Sequence, residues 1–92
     1  MEDKKILVLA RRDHGEAMRV AAGLTIVGHE VGLVIMRGAL ADTPENARQA
    51  ELLELSDISP ETTVEAMGGE LPLLDSAALG AAIGAADAVI SV

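Results

Sequence analysis

The chain has 92 residues, enough for one domain and one core. Fifteen acids against seven bases give a net charge of −8, and Phe, Trp and Tyr are absent. This excludes the usual nucleic-acid binders, because phosphates would be repelled and bases would have no aromatic ring on which to stack. Without cysteine there is no disulfide, no thiolate nucleophile and no Cys-ligated zinc site.

Charge and hydropathy along the chain add two expectations. The whole net charge lies after Arg48, where acids occur and bases do not. This indicates a solvated acidic face or, alternatively, a docking face for a basic partner. No apolar stretch is long enough to cross a bilayer, and residues 1–5 do not begin a signal peptide, so a cytoplasmic protein is expected.

The hydrophobic pattern alternates between strands and helices. In chain order it predicts a strand at 6–10, a helix at 15–27, a strand at 31–36, a helix at 44–55, a strand at 62–67, a helix at 77–86 and a strand at 88–92. The first strand is a continuous apolar run, typical of a parallel strand buried on both faces. The third is the weakest, because Glu65 and two threonines favour an edge position.

Helix boundaries are indicated by the residues that helix ends prefer. Asp13 or His14 would cap the first helix, and Gly28 would close it. Thr43 and Asp75 would cap the second and third helices. The alternation predicts an α/β fold: a flavodoxin-like, doubly wound, mostly parallel sheet of about four strands with about three helices.

Two of these helices carry more apolar surface than one face of a sheet requires. The first has only Glu16, Arg19 and Thr25 as clearly polar residues, and the last has no polar side chain over 77–86. A helix that covers a sheet normally has a polar opposite side. Either both helices simply pack on the sheet, or the chain self-associates, and Gly80 and Gly84, one helical turn apart, would then allow another backbone to approach closely.

An anion site is predicted in the loop after the first strand. Arg11, Arg12 and His14 come immediately before a helix N-terminus, where guanidinium groups, free N–H groups and the helix dipole together attract an anion. Arg37 follows the second strand and would lie at the same edge of the sheet. The alternative is that these are ordinary solvent-exposed charges, because no Gly-rich phosphate-binding fingerprint accompanies them.

Two other features of this edge are less specific. Arg11, Arg12 and Arg37 could instead pair with Asp42, Glu70 or a neighbouring subunit. Met67, Gly68 and Gly69 form another loop at this edge, either a ligand loop or a plain turn.

The histidines do not indicate a metal site. His14 could titrate near neutral pH, but no serine or cysteine nucleophile lies beside it in sequence. His29 falls in a turn expected at the opposite end of the sheet. No catalytic residue, metal ligand or cofactor is therefore assigned.

The sequence resembles the DsrE/DsrF-like family of small sulfur-relay proteins. The resemblance lies in Lys-Lys-Ile-Leu-Val-Leu near the start, in Val-Gly-His-Glu-Val-Gly-Leu-Val-Ile-Met, and in the terminal Ala-Ala-Asp-Ala-Val-Ile-Ser-Val. It implies a flavodoxin-like subunit that assembles into trimers or hexamers. Sulfur-carrying members hold a persulfide on a cysteine after the third strand, where this chain has Met67, Gly68 and Gly69. A thioether cannot replace a thiolate, so the resemblance implies a subunit without the reactive cysteine.

Three functions follow as hypotheses. The first is a non-catalytic interaction subunit, a homo-oligomer or the partner of a cysteine-bearing relative. The second is a small-molecule module that binds an anion near Arg11 and Arg12. The third, an enzyme that uses His14 with a carboxylate, has the least support, since no nucleophile or cofactor loop accompanies it.

Overall fold

The chain forms one parallel sheet with helices on both faces. The computed structural model describes residues 4–38, 41, 43–69 and 71–92. In chain order the elements are β1 (Lys5–Ala10), α1 (His14–Ile26), β2 (Glu30–Ile35), α2 (Pro44–Leu55), β3 (Glu61–Thr62), a short 3-10 helix (Glu65–Met67), α3 (Ser76–Ala85) and β4 (Ala88–Ser91). Within the described ranges no helix is both long and apolar enough to cross a membrane.

The strand order is β3-β2-β1-β4, and all pairings in the sheet are parallel. β1 and β2 pair over their full length, from Lys5 opposite Glu30 to Ala10 opposite Ile35. After β1, the chain adds β2 and then β3 on one side of the sheet. It then crosses back, and β4 pairs with the other side of β1. This doubly wound order confirms the predicted flavodoxin-like α/β class.

α1 begins and ends as its sequence predicts. Asp13 is the N-cap: its carboxylate accepts a hydrogen bond from the Glu16 amide at 3.0 Å and satisfies one of the free N–H groups of the first turn. His14 is therefore the first helical residue and not the cap. Beyond the helix, Gly28 has a φ of 97°, a left-handed conformation that glycine adopts at little cost.

α2 and α3 also begin at a residue whose side chain caps the first turn of the helix. Thr43 Oγ1 accepts from the Asn46 amide at 3.1 Å, and Pro44 occupies the first helical position, where its missing N–H does no harm. The Asp75 carboxylate accepts from the Ala78 amide at 2.7 Å. Both predicted caps are confirmed.

One face of the sheet carries the larger core, which α1 and α2 cover. Its buried residues are Ile6, Val8 and Ala10 of β1, Leu33 and Ile35 of β2, Ala17, Met18, Ala21 and Ala22 of α1, Leu53 of α2, and Ile58 and Met67 of the connections. Most of the apolar surface of α1 is thus covered within the chain. Large apolar side chains are exposed only where the helix ends, at Ile26 and the following Val27.

The opposite face carries a smaller core, which α3 covers incompletely. The buried members are Leu7 and Leu9 of β1 and Val34 of β2. Leu79 and Ala82 of α3 pack against them but are only half-buried. No residue of α3 is buried, although the helix is almost entirely apolar.

β3 is shorter than the strand expected over 62–67, because Thr62 ends it. The Thr62 side chain is fully buried, and its Oγ1 donates to the Ile35 carbonyl oxygen at 2.9 Å. Thr62 Oγ1 also accepts a hydrogen bond from the Val64 amide at 3.0 Å, and this bond closes a turn directly after the strand. Residues Glu65–Met67 therefore form a 3-10 helix and not a continuation of the strand.

The two edges of the sheet differ. At the outer side of β3, the Thr62 amide donates to the Pro72 carbonyl at 3.0 Å, and the Leu74 amide donates to the Thr62 carbonyl at 2.7 Å. A short extended segment thus covers that edge. In the described part of the chain, no strand pairs with the outer side of β4. Among the described residues, the β4 edge is therefore open.

Candidate functional site

The loop after β1 carries Arg11 and Arg12, whose side chains are exposed. It lies between β1 and β4, where the winding of the sheet reverses and α/β folds open a crevice for ligands. In this protein the main chain bridges that crevice. The Arg11 and Arg12 N–H groups both donate to the Val92 carbonyl oxygen, at 2.8 and 2.9 Å. These N–H groups are engaged, so an anion would have to bind through the guanidinium groups.

The N-terminus of α1 already holds carboxylates of the protein itself. Asp13 caps the helix, and Glu16 in the first turn forms an ion pair with Arg19. Because Asp13 already places negative charge at the positive end of the helix dipole, an added anion would gain less there. The anion site therefore stays a prediction that depends on the side chains of Arg11 and Arg12.

His14 is half-buried and has a structural partner. Its Nε2 lies 3.0 Å from the Met36 carbonyl oxygen, and because a carbonyl only accepts, Nε2 is the protonated nitrogen in this contact. His29 lies at the opposite end of the sheet, where its Nδ1 accepts from the Lys4 amide at 3.4 Å. Nowhere in the described ranges do three His, Asp or Glu side chains come together as a metal-binding group.

Arg37 has an unusual backbone conformation for a residue other than glycine. Its φ is 74°, and the Gly38 amide donates to the Met36 carbonyl oxygen at 3.0 Å, closing a tight turn around it. Such a conformation costs roughly 1–3 kcal/mol and is concentrated at functional sites. Arg37 follows β2 on the edge of the sheet that carries Arg11 and Arg12. Two of the partners predicted for these arginines, Asp42 and Glu70, lie outside the described residues.

The segment of Met67, Gly68 and Gly69 joins the core and then turns tightly. Met67 is buried in the larger core and ends the 3-10 helix. Gly68 has a right-handed φ of −64°, and its amide donates to the Glu65 carbonyl oxygen at 3.0 Å. The neighbouring Gly69 is exposed.

An uncovered apolar region lies on the face that α3 occupies. We call it the α3–β4 surface and define it as residues 77–85 of α3 with Val89 and the outer edge of β4; Ala88 and Ile90, which pair with Ile6 and Val8, lie on the opposite face. Val89 pairs with Leu7 in register, so its side chain lies on the same face as α3. Ile83 and Val89 are 40% and 42% exposed. None of the residues that define the surface is charged.

The outward side of α3 is built from small residues. Ala81 and Gly84 are exposed, and a Cβ added at Gly80 or Gly84 would meet nothing within 4 Å. Ala82, in contrast, packs against the smaller core. Another chain could therefore approach this helix closely without displacing any side chain of the protein.

A cleft of about 460 Å³ is a second apolar feature, and the sequence does not reveal it. It lies between α2 and the segments around β3; its lining includes Met18, Ile35, Leu53, Ile58, Met67 and Leu71. These residues are far apart in sequence, and their patterns predict core positions. An aromatic-free chain has no large ring with which to fill such a space.

Comparison with known proteins leaves the family undetermined. No protein-family model matches the chain, and no match was found among curated proteins or solved structures. The resemblance to DsrE/DsrF-like proteins therefore stays a prediction from the quoted residues.

Proposed function

We propose that this protein is a non-catalytic assembly subunit that binds another protein chain through the α3–β4 surface. One observation carries the proposal: α3 is almost entirely apolar, yet none of its residues is buried. A helix that served only to cover the sheet would bury its apolar residues and present polar ones to water.

The position of β4 supports the same function. Val89 lies beside α3 on one face, and the outer edge of the strand has no described partner. Proteins protect such an edge by keeping the strand short, or with charges, proline or a covering segment; β4 is only four residues long, but it carries no charge and no proline. A contiguous apolar patch that includes an open strand edge is typical of an interaction site.

Two of the residues singled out in the sequence have structural contacts. His14 is bonded to the Met36 carbonyl oxygen, and Met67 belongs to the core. We further propose, from the residue resemblance, that the context is sulfur relay, in which a partner chain would supply the reactive cysteine. Homo-oligomers and pairs with such a relative are both compatible with the α3–β4 surface.

A matched pair of substitutions tests the proposal. Ala81→Arg places a bulky charge on the outward side of α3, whereas Ala47→Arg makes the same change at an exposed position of α2. Ala81 is the better target than Ala82, which packs on the core. We expect native mass spectrometry of gently isolated protein to show a complex for the wild type and for Ala47→Arg, and none for Ala81→Arg. A complex that survives Ala81→Arg unchanged would contradict the proposal.

A second candidate function is anion binding by Arg11, Arg12 and Arg37. The positive φ of Arg37 supports it, because such conformations are concentrated at functional sites; Asp57, just after α2, has a positive φ as well.

A further inference from the structure

We infer that the cleft between α2 and the segments around β3 binds a small organic cation with an apolar body, such as an alkylammonium ion. The cleft opens from the larger core, which lies on the other face of the sheet from the α3–β4 surface. Binding in the cleft is therefore independent of the proposed function, and the two can be tested separately.

The inner part of the cleft is apolar. Met18, Ile35 and Leu53 are at most 2% exposed and Met67 is 7% exposed, and all four belong to the larger core. The volume of about 460 Å³ falls within the range of roughly 300–1,000 Å³ that is typical of small-molecule sites. The two methionines are unbranched, so they can adjust to apolar bodies of different shape. The part of a ligand that lies here must be apolar, because these side chains offer no strong hydrogen-bonding group to replace lost water.

The mouth of the cleft is acidic. Among the described residues that line it, Glu54 alone is charged, and its side chain is exposed. Glu51 lies one turn earlier in α2 and lines, with Glu54, a second hollow on the same helix. No lysine or arginine follows Arg48 anywhere in the sequence. An organic cation at the mouth therefore meets carboxylates and no basic side chain of this half of the chain.

The carboxyl end of α2 adds to the negative potential at the mouth. The helix ends at Leu55, has no basic residue in its last turn and is followed by Asp57. The last turn of a helix carries the negative end of its dipole, which attracts cations and repels anions. A fatty acid would fit the apolar interior, but its carboxylate would be repelled by Glu54 and by the helix end. This charge complementarity selects an apolar cation over an apolar anion.

Three ligands with the same alkyl chain and different head groups test the inference: octylammonium, octanol and octanoate. The protein has four methionines, and labelling their methyl groups with ¹³C allows binding to be located by NMR. We expect octylammonium to shift the Met18 and Met67 signals saturably, while Met36, which packs against the smaller core, serves as the internal reference. At low salt octylammonium should bind at least about threefold more tightly than octanol, and octanoate more weakly than octanol. From butylammonium to octylammonium the affinity should rise about two- to fourfold for each methylene, as expected for half to full burial.

Two matched pairs of variants test the head-group and tail positions. Glu54→Gln should reduce the preference for octylammonium over octanol to less than about twofold. Glu30→Gln changes the net charge equally at the start of β2, far from the mouth, and should preserve the preference. Ala50→Phe places a ring in the lining and should weaken octylammonium binding at least about tenfold, because the ring displaces several buried methylenes of the ligand. Ala47→Phe, at an exposed position of α2 outside the lining, should leave the affinity unchanged.

Binding of octanoate as tight as that of octylammonium would overturn the cation, as would a preference that survives Glu54→Gln. Shifts of Met36 that match those of Met18, or an affinity unaffected by Ala50→Phe, would show that the amphiphiles coat the surface without using the cleft. If circular dichroism shows that Ala50→Phe fails to fold, the methionine signals and Glu54→Gln decide. None of these results depends on whether a complex forms through the α3–β4 surface.

Discussion

His14 Nε2 lies 3.0 Å from the carbonyl oxygen of Met36, and this contact joins the first residue of α1 to the residue that follows β2. The two loops at the carboxyl edge of the sheet are therefore tied together by a side chain as well as by the strands. One of these loops carries Arg11 and Arg12 and the other carries Arg37.

Replacement of His14 by alanine should reduce the stability of the fold. The change removes one half-buried hydrogen bond and leaves the Met36 carbonyl oxygen without that donor, which typically costs about 1 kcal/mol. Urea unfolding followed by circular dichroism at 222 nm measures the loss. His29→Ala is the control and should cost less, because the contact of His29 with the Lys4 amide is longer and exposed. Equal losses in both variants would contradict the role given to His14.

Two glycines near the end of α1 should respond to alanine in opposite directions. Gly28 has a φ of 97°, so Gly28→Ala should destabilise the protein by about 1 kcal/mol. Gly23 lies inside α1 and a Cβ there would meet nothing within 4 Å, so Gly23→Ala should stabilise it by roughly 0.5–1 kcal/mol. Thermal unfolding followed by circular dichroism distinguishes the two. Destabilisation by both would show that the end of α1 is packed more tightly than the structure indicates.

The anion hypothesis predicts that inorganic phosphate raises the thermal unfolding temperature. At a phosphate concentration tenfold above the dissociation constant, binding contributes about 1.4 kcal/mol, which corresponds to roughly 6 °C or more in a domain of this size. Arg11→Ala, Arg12→Ala and Arg37→Ala should each reduce the shift. Arg48→Ala, on the exposed side of α2, should leave it unchanged.

Sodium chloride at matched ionic strength is the control for non-specific salt effects in that experiment. A shift that persists in the Arg11 and Arg12 variants would place the anion elsewhere or exclude specific binding. No shift for any variant or the wild type would remove this second candidate function.

Much of the fold could be predicted because its signals are local. The buried run of β1 and the caps Asp13, Thr43 and Asp75 each depend on a few adjacent residues, and the structure confirms them. β3 was predicted too long because the burial of Thr62 and its bond to the Ile35 carbonyl depend on β2, which is 27 residues away in sequence. The residues next to a threonine in the sequence do not show whether its hydroxyl group will be buried in the folded protein.

The candidate sites were also predictable only where their features depend on neighbouring residues in the sequence. Sequence alone determined that α3 carries no charge and that arginines follow β1 and β2, since both statements depend on residue order and on the strand pattern. Only the tertiary structure decided that the Val92 carbonyl oxygen accepts from the N–H groups of Arg11 and Arg12. It also decided that α1 buries several of its apolar residues in the core while α3 buries none. Burial and hydrogen-bond partners depend on which distant segments meet. The alternation of residues along a single strand or helix does not contain that information.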